Sequence, residues 1–150
     1  MIGAERLSKE LSLDIDSVMR EYKPIPETEE QFKLTHRLCL EAGVVSVQRH
    51  AGALRYIYTP HGRQTIAEGK DLTKLKYLVA TGGALTRLPE RENIMRKIAD
   101  SNANGMMLFP KPTVLKLLYD NDYIMASLGV LSKRFPEAAL KLMKQSLGID

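Results

Sequence analysis

The chain reads LKYLVATGGALTRLP from Leu75 to Pro89, and this stretch decides the predicted fold. Its apolar first half is typical of a short buried strand. Gly82 and Gly83 follow the strand, and they let the backbone turn without a Cβ in the way. Pro89 is then placed to start a helix, with a charged first turn and an amphipathic segment that continues to Ser101. A strand, a glycine turn and a helix N-terminus are together typical of a nucleotide site.

The length and composition of the chain limit the classes of protein to which it can belong. With 150 residues, 44% of them apolar, the chain is long enough for a core, so we expect a single domain over residues 1–150. No run approaches the roughly 18 apolar residues that a membrane span needs, and the N-terminus lacks the order of a signal peptide. We therefore expect a cytoplasmic protein without membrane contact. The single Cys39 excludes an internal disulfide, and its apolar neighbours favour a buried small side chain.

The net charge of +4 is not taken as a sign of nucleic-acid binding. Residues 1–30 hold eight acids and four bases, so the basic excess lies in the rest of the chain, where the bases are scattered. The spacings of a helix-turn-helix or a zinc finger are absent from the sequence. We therefore expect no nucleic-acid partner.

Patterns that would predict a metal or a catalytic centre are also missing from the sequence. His36 and His50 fall fourteen residues apart on one predicted helix, which separates them by about 21 Å. His61 lies in a predicted turn without further ligands at zinc spacing. The sequence has neither a nucleophile elbow nor a Walker-type lysine loop. We therefore predict no metal site and no catalytic residue in this chain.

The remaining pattern predicts helices that alternate with short strands. Residues 1–26 are expected to form an N-terminal helical extension with one or two short helices. A long helix follows from about Glu27 to His50, with Thr28 as a candidate cap. Its apolar stripe is predicted at Leu34, Leu38, Ala42 and Val45, beside a strip of small residues at Cys39, Gly43 and Ser46.

Two strands over 54–58 and 64–68 are predicted to form a hairpin around the turn at Pro60. A last strand is predicted over 114–119, and two helices over 120–135 and 137–147 close the chain. Within the first of these helices, Ala126 and Gly129 are expected to allow a close approach to a neighbouring element.

The glycine loop and its surroundings resemble a known superfamily. The stretch LVATGGALTRLPERENIMRKI is similar to the adenosine loop of the sugar kinases, heat-shock chaperones and actin, where a strand, a Gly-Gly turn and a helix recur. Within that superfamily, the chain resembles the MutL accessory proteins associated with glutamate mutase, which share only a name with the mismatch-repair protein. The sequence motifs that carry this resemblance are QRHAG, YTPHG, EGKDLT, TGGALTRLP and DNDYIMASLGVL, which cover roughly residues 40–135.

The resemblance implies an α/β fold, namely half of an actin-like (ribonuclease-H-like) ATPase fold with a small mixed sheet flanked by helices. It also implies a site for ATP or ADP. Gly82 and Gly83 would bring backbone against the adenosine, with Thr81 and Ala84 flanking it and Arg87 covering it. In this chain, the spacing between the two glycines and Arg87 is one residue longer than in the chaperone pattern.

The resemblance further implies that part of the nucleotide site is missing. Relatives of this kind bind phosphates and magnesium between two lobes through Asp-x-Gly loops, and residues 1–74 contain no such loop. We therefore expect the chain to be the C-terminal lobe of a larger protein, whose missing N-terminal lobe supplies the phosphate and magnesium half. This lobe is not expected to be catalytic alone, and whether the full-length relative is an ATPase stays open.

Two functions follow as expectations. The first is an adenosine-side nucleotide-binding lobe of an ATP-dependent accessory or reactivating protein for a cobalamin-dependent mutase. The alternative is a non-enzymatic protein-interaction domain with a vestigial nucleotide-binding fold. The first predicts that nucleotide contacts the glycine loop, and the second predicts a complex that does not depend on nucleotide.

Overall fold

The long helix α3, Glu29–His50, contributes to both hydrophobic clusters in a computed structural model that describes residues 3–149. The Thr28 side chain accepts a hydrogen bond from the backbone N–H of Gln31 at the start of α3. Glu29 and Glu30 lie in its first turn, where acids stabilise the positive end of a helix. The predicted long helix and its Thr28 cap are therefore confirmed.

Seven helices and four strands lie between residues 3 and 149. The helices are α1 Ala4–Leu11, α2 Ile15–Arg20, α3 Glu29–His50, α4 Gly83–Arg87, α5 Arg91–Ala99, α6 Met125–Leu131 and α7 Pro136–Leu147. The strands are β1 Ala53–Thr59, β2 Gly62–Glu68, β3 Tyr77–Ala80 and β4 Lys116–Tyr119. Short 3₁₀ turns lie at Asp100–Asn102 and Pro112–Val114.

The strands form two separate two-stranded sheets, so the α/β class is confirmed but the single small mixed sheet is not found within residues 3–149. β1 and β2 pair antiparallel as the predicted hairpin. β3 and β4 pair parallel, with Leu78 opposite Leu117. A parallel pair needs a long crossover, which the chain between Ala80 and Lys116 supplies through α4 and α5.

The main core lies between α3, α5 and the β3–β4 pair. Ile94 is fully buried there, and Leu88, Met95, Ile98 and Ala80 complete the buried set. A Cβ on Gly43 of α3 would collide with Ile98 Cδ1 of α5, so the predicted strip of small residues is confirmed at this position.

The predicted apolar stripe of α3 is wrong in its middle. Leu38 is 41% exposed and Ala42 is exposed, while Leu40 and Val44 pack against the main core. The close approach at Gly43 brings α5 onto the neighbouring side of the helix, and this contact decides which apolar residues face inward.

The first two helices pack against the N-terminal half of α3. Leu7, Ile15 and Val18 form a second buried cluster with Leu34 of α3. Asp14 caps α2 by accepting a hydrogen bond from the backbone N–H of Ser17. One or two short helices are expected in this part of the chain, and α1 and α2 are found there, while residues 1, 2 and 150 lie outside the described range.

Two element boundaries after β3 differ from the prediction. The helix α4 separates the glycine turn from α5, which begins at Arg91 and not at Pro89. Leu88 is extended, with φ −65° and ψ 136°, because a residue before proline avoids the helical region. The last strand begins at Lys116, since Pro112 opens a 3₁₀ turn where the strand was expected.

Helix α6 is much shorter than the predicted 120–135 helix. It begins at Met125 because the five preceding residues form a loop that the Asp120 side chain caps. Ala126 is exposed, and a Cβ on Gly129 would meet no described atom within 4 Å. The expected close approach at these small residues is therefore wrong, and Leu128 is the buried contact of this helix.

Gly52 and Gly69 allow the two chain segments at the base of the hairpin to lie in close contact. A Cβ on Gly52 would lie 2.5 Å from the carbonyl oxygen of Glu68 and 2.7 Å from the carbonyl carbon of Gly69. These are backbone atoms that cannot rotate away. We expect Gly52→Ala to lower the free energy of unfolding by about 2 kcal/mol in urea titrations.

The matched control for Gly52 is Gly129, which lies at an exposed position of helix α6. Gly129→Ala adds its methyl group to open space, so it should raise the free energy of unfolding by about 0.5 to 1 kcal/mol. Equal effects of the two substitutions would show that the contact at Gly52 is not a tight one.

Candidate functional site

Two loops meet at the carboxyl ends of β3 and β4. Residues Thr81–Gly83, the glycine loop, follow β3, and residues Asp120–Ile124, the aspartate loop, follow β4. The two strands are adjacent and parallel, with Ala80 opposite Tyr119. Ligands of open α/β sheets bind in the crevice outside the carboxyl ends of the strands. This edge is therefore the candidate site.

Asp120 lies at the centre of the edge and is fully buried, with 0% of its surface exposed. Thr81 Oγ1 donates to Asp120 Oδ2 at 2.9 Å, and Ser146 Oγ donates to Asp120 Oδ1 at 2.8 Å. The backbone N–H groups of Ile124 and Met125 donate to Oδ1 and Oδ2 at 3.1 and 3.0 Å. One carboxylate thus joins both loops to the start of α6 and the end of α7.

These hydrogen bonds keep the Asp120 carboxylate ionised. Burial acts to raise its pKa, but the bonds from Met125, Ser146, Thr81 and Ile124 outweigh burial, so the pKa lies below the ordinary value. The negative charge also suits the first turn of α6. Such a carboxylate is a poor general base, and its four donors all come from this chain. Asp120 is therefore suited to positioning the loops.

The glycine loop is held by hydrogen bonds from α4, and space is open beside its two glycines. Gly82 has φ 94° and ψ 149°, a conformation that side-chain-bearing residues rarely adopt. Thr86 Oγ1 donates to the carbonyl oxygens of Gly82 and Gly83 at 3.0 and 3.3 Å. A Cβ on either glycine would meet no described atom within 4 Å. Space is therefore open beside the backbone of both glycines.

The structure brings some of the sequence-predicted site residues to this edge. Thr81, Gly82 and Gly83 form the glycine loop, and Ala84 is half-buried against the main core. Arg87 is exposed in the last turn of α4, where a basic residue complements the helix dipole. Binding of adenosine by these five residues stays a prediction.

Arg91, which was not selected from the sequence, links helix α4 to the aspartate loop. Its Nη1 donates to the Thr86 carbonyl oxygen at 2.9 Å, and its Nη2 donates to Asn121 Oδ1 at 2.9 Å. Its guanidinium carbon also lies 4.8 Å from the centroid of the Tyr119 ring. Asn121 in turn donates from Nδ2 to the Ser146 carbonyl oxygen at 2.9 Å.

Asp120, Asn121 and Ser146 were not selected from the sequence either. A signal was present for the first of these, because Asp-Asn-Asp follows a predicted strand and short polar side chains of this kind cap helices. The role of Ser146 could not be found locally, since it reaches Asp120 from 26 residues away.

Substitutions should distinguish the structural role of Arg91 from that of Arg87. Arg91→Ala removes the hydrogen bonds to Thr86 of α4 and to Asn121 of the aspartate loop, so we expect the free energy of unfolding to fall by about 1.5 kcal/mol in urea titrations. Arg87→Ala removes an exposed side chain and should change it by less than about 0.5 kcal/mol. Equal losses from the two variants would argue against Arg91 as the link between α4 and the aspartate loop.

Neither the single cysteine nor the potential metal ligands of the described range form a second centre. Cys39 is half-buried, and burial raises the pKa of its thiol. Between residues 3 and 149, no three His, Cys, Asp or Glu side chains converge as metal ligands. None of the helices in that range combines the length and the apolar character needed to cross a membrane.

Comparison with known proteins assigns the family. A family described as MutL protein matches residues 2–147 of the chain. Protein MutL of Clostridium tetanomorphum is 29% identical over 152 residues, which cover 97% of this chain and 32% of the relative. The chain thus spans about a third of the length of that curated relative. No solved structure matches the chain. The match over nearly the whole chain shows that it belongs to the MutL protein family.

Proposed function

We propose that this chain is the adenosine-side nucleotide-binding lobe of an ATP-dependent accessory or reactivating protein for a cobalamin-dependent mutase. Membership of the MutL family supports the accessory role, and the resemblance to glutamate-mutase-associated proteins names the class of mutase. The observation that carries the nucleotide proposal is the open backbone of Gly82 and Gly83 at the carboxyl edge of a parallel strand pair.

The chemistry of the edge suits adenosine better than phosphate. An adenine ring is flat and can lie over glycine backbone that has no Cβ, with Thr81 and Ala84 on either side. Asp120 and Asp122 place negative charge in the aspartate loop, which disfavours a phosphate group there. We therefore assign the phosphates and magnesium to the remainder of a two-lobed protein, since the chain spans only 32% of its curated relative.

The coupling of nucleotide to the mutase can be tested in a complete family protein that carries this lobe. With glutamate mutase holding inactivated cobalamin, we expect ATP to accelerate release of the cobalamin. Gly83→Val, which fills the space above the loop, should abolish the acceleration by ATP while the complex with the mutase still forms. Release that is equally fast with and without ATP would contradict the proposal.

A non-enzymatic interaction domain is the second candidate function. It is favoured by large apolar side chains on the α6–α7 region, where Val130 is 71% exposed and Phe135 is 52% exposed. This candidate predicts that the chain binds its partner with the same affinity whether or not nucleotide is present. A cytoplasmic location stays a prediction under either function.

A further inference from the structure

The β1–β2 hairpin is unusually exposed for a paired element of a folded domain. All seven residues of β2 are exposed, and Tyr58 of β1 is 83% exposed. A two-stranded hairpin by itself is only marginally stable in water, and it is normally packed against other elements. The hairpin belongs to a different sheet from the glycine loop, so a role for it is independent of nucleotide binding.

The outer edge of β2 carries unpaired backbone groups. β1 pairs with one side of β2, and on the other side no backbone group of residues 62–68 bonds to another described segment. The outer edge of β1 differs, because near its base the backbone N–H of Leu54 donates to the Met106 carbonyl oxygen at 2.7 Å. An open row of N–H and C=O groups is a template for a further strand.

The position of that bond identifies which amides face outward. Since Leu54 donates away from β2, the pair that it forms with Ala67 is not hydrogen-bonded across the hairpin. Alternation along an antiparallel ladder then turns the backbone N–H groups of Ala67, Thr65 and Arg63 toward the open edge. These three amides are the donors that an added strand would meet.

The net positive charge of the chain falls in the segment that contains this hairpin, with most of it in the flanks on either side of the two strands. Residues 49–76, which contain the hairpin and its flanks, hold six Lys and Arg residues against two acids. The rest of the chain holds sixteen of each, so residues 49–76 account for the whole net charge of +4. An acidic partner is therefore attracted to this segment more than to the remainder of the chain.

The side chains of the hairpin favour a polypeptide as that acidic partner. The guanidinium of Arg63 lies over the Tyr56 ring, 4.4 Å from its centroid, which occupies one face that a nucleic-acid base would need for stacking. Arg55 is paired with Glu68 at 3.0 Å. The open edge alternates donors with acceptors, which a peptide strand matches and a sugar-phosphate backbone does not.

We propose that the hairpin is a docking site for an acidic extended segment of a partner protein, which adds as a third strand along the open edge of β2. Backbone hydrogen bonds to the outward amides hold the segment, and Arg63 together with Lys70 selects its carboxylates. The exposed Tyr58 ring offers an apolar contact for an alternate side chain of the added strand.

The test uses the ¹⁵N-labelled 150-residue protein and a synthetic peptide of alternating valine and glutamate. We expect the backbone amide signals of Arg63, Thr65 and Ala67 to shift in a saturable way at up to millimolar peptide. They should also exchange with solvent more slowly in its presence. A matched peptide of alternating valine and lysine should bind at least about tenfold more weakly.

Two variants separate strand addition from general charge attraction. Thr65→Pro removes an outward N–H, and an edge position tolerates proline. It should abolish binding of the valine–glutamate peptide, whereas Thr65→Val should retain it. Arg63→Glu keeps every backbone group and should weaken the preference for the acidic peptide, which tests the proposal even if the proline variant disturbs the hairpin.

Three outcomes would overturn the proposal. Equal affinity for the acidic and basic peptides would remove the role of charge. Shifts of the hairpin signals by oligouridylate at concentrations where the acidic peptide has no effect would assign the surface to nucleic acid. Hairpin signals that depend on protein concentration without any peptide would assign the open edge to a second copy of the chain.

Discussion

Asp120→Ala is expected to lower the free energy of unfolding by about 3 kcal/mol, as measured by urea unfolding at neutral pH. The substitution removes the acceptor of four hydrogen bonds at once. The Ser146 hydroxyl is almost fully buried, so it would lose this partner where water cannot readily replace it. The N-terminus of α6 would lose its cap, with Ile124 and Met125 left without an acceptor.

Asp122 supplies the matched control in the same loop. Its side chain is exposed, so Asp122→Ala should change the free energy of unfolding by less than about 0.5 kcal/mol. Asp120→Asn keeps the shape and one acceptor oxygen, so its loss should fall between the two. Similar losses for Asp120→Ala and Asp122→Ala would refute the account of Asp120 as the link between the loops.

The same carboxylate makes stability depend on pH. Because the pKa of Asp120 is lowered in the folded state, its contribution is present above the unfolded value of about 3.9 and is lost as pH falls through the folded pKa. Between neutral pH and about pH 3, the wild-type protein should therefore lose more stability than Asp120→Asn. Identical pH dependence of the two proteins would show that the Asp120 pKa is not lowered.

Gly83→Val is expected to reduce affinity for adenosine at least about tenfold, or about 1.4 kcal/mol, while it changes the free energy of unfolding by less than about 0.5 kcal/mol. The backbone of Gly83 is not in the left-handed region, and its Cβ would enter open space. Its Cβ would meet no described atom within 4 Å, while the added side chain occupies the volume assigned to the adenine ring. Calorimetric titration and urea unfolding measure the two quantities.

Gly82 cannot replace Gly83 in this experiment, because a side chain at its φ of 94° adds backbone strain of about 1 to 3 kcal/mol. Ala42→Val on the exposed side of α3 is the better control and should leave adenosine affinity unchanged. Unchanged affinity in Gly83→Val itself would mean that adenosine does not lie over the glycine loop.

Local signals in the sequence predicted the elements that depend on nearby residues. Thr28 caps α3 three residues before its partner Gln31, and the strands of the hairpin flank a two-residue turn, so neighbouring residues suffice in both cases. The start of α6 depends instead on Asp120, which Ser146 and Thr81 hold from distant parts of the chain. No window of sequence contains that network, so the prediction made α6 too long.

The candidate site was predictable to a similar extent. The glycine loop could be selected from its own residues, because a strand followed by two glycines is a local pattern. Arg87 was assigned from the loop pattern of the superfamily that the chain resembles, whereas the structure turns Arg91 toward Thr86 and Asn121. That outcome depends on α4 ending before Pro89 and on the placement of β4 beside β3, which are tertiary features.

The central claim is that the glycine loop contacts adenosine, and backbone amide signals of the ¹⁵N-labelled chain test it most directly. On titration to millimolar adenosine, we predict saturable shifts at Gly82, Gly83 and Ala84, similar shifts with ADP, and much smaller shifts with guanosine. Signals of these three residues that stay unmoved by adenosine and ADP, or that move equally with guanosine, would contradict the claim.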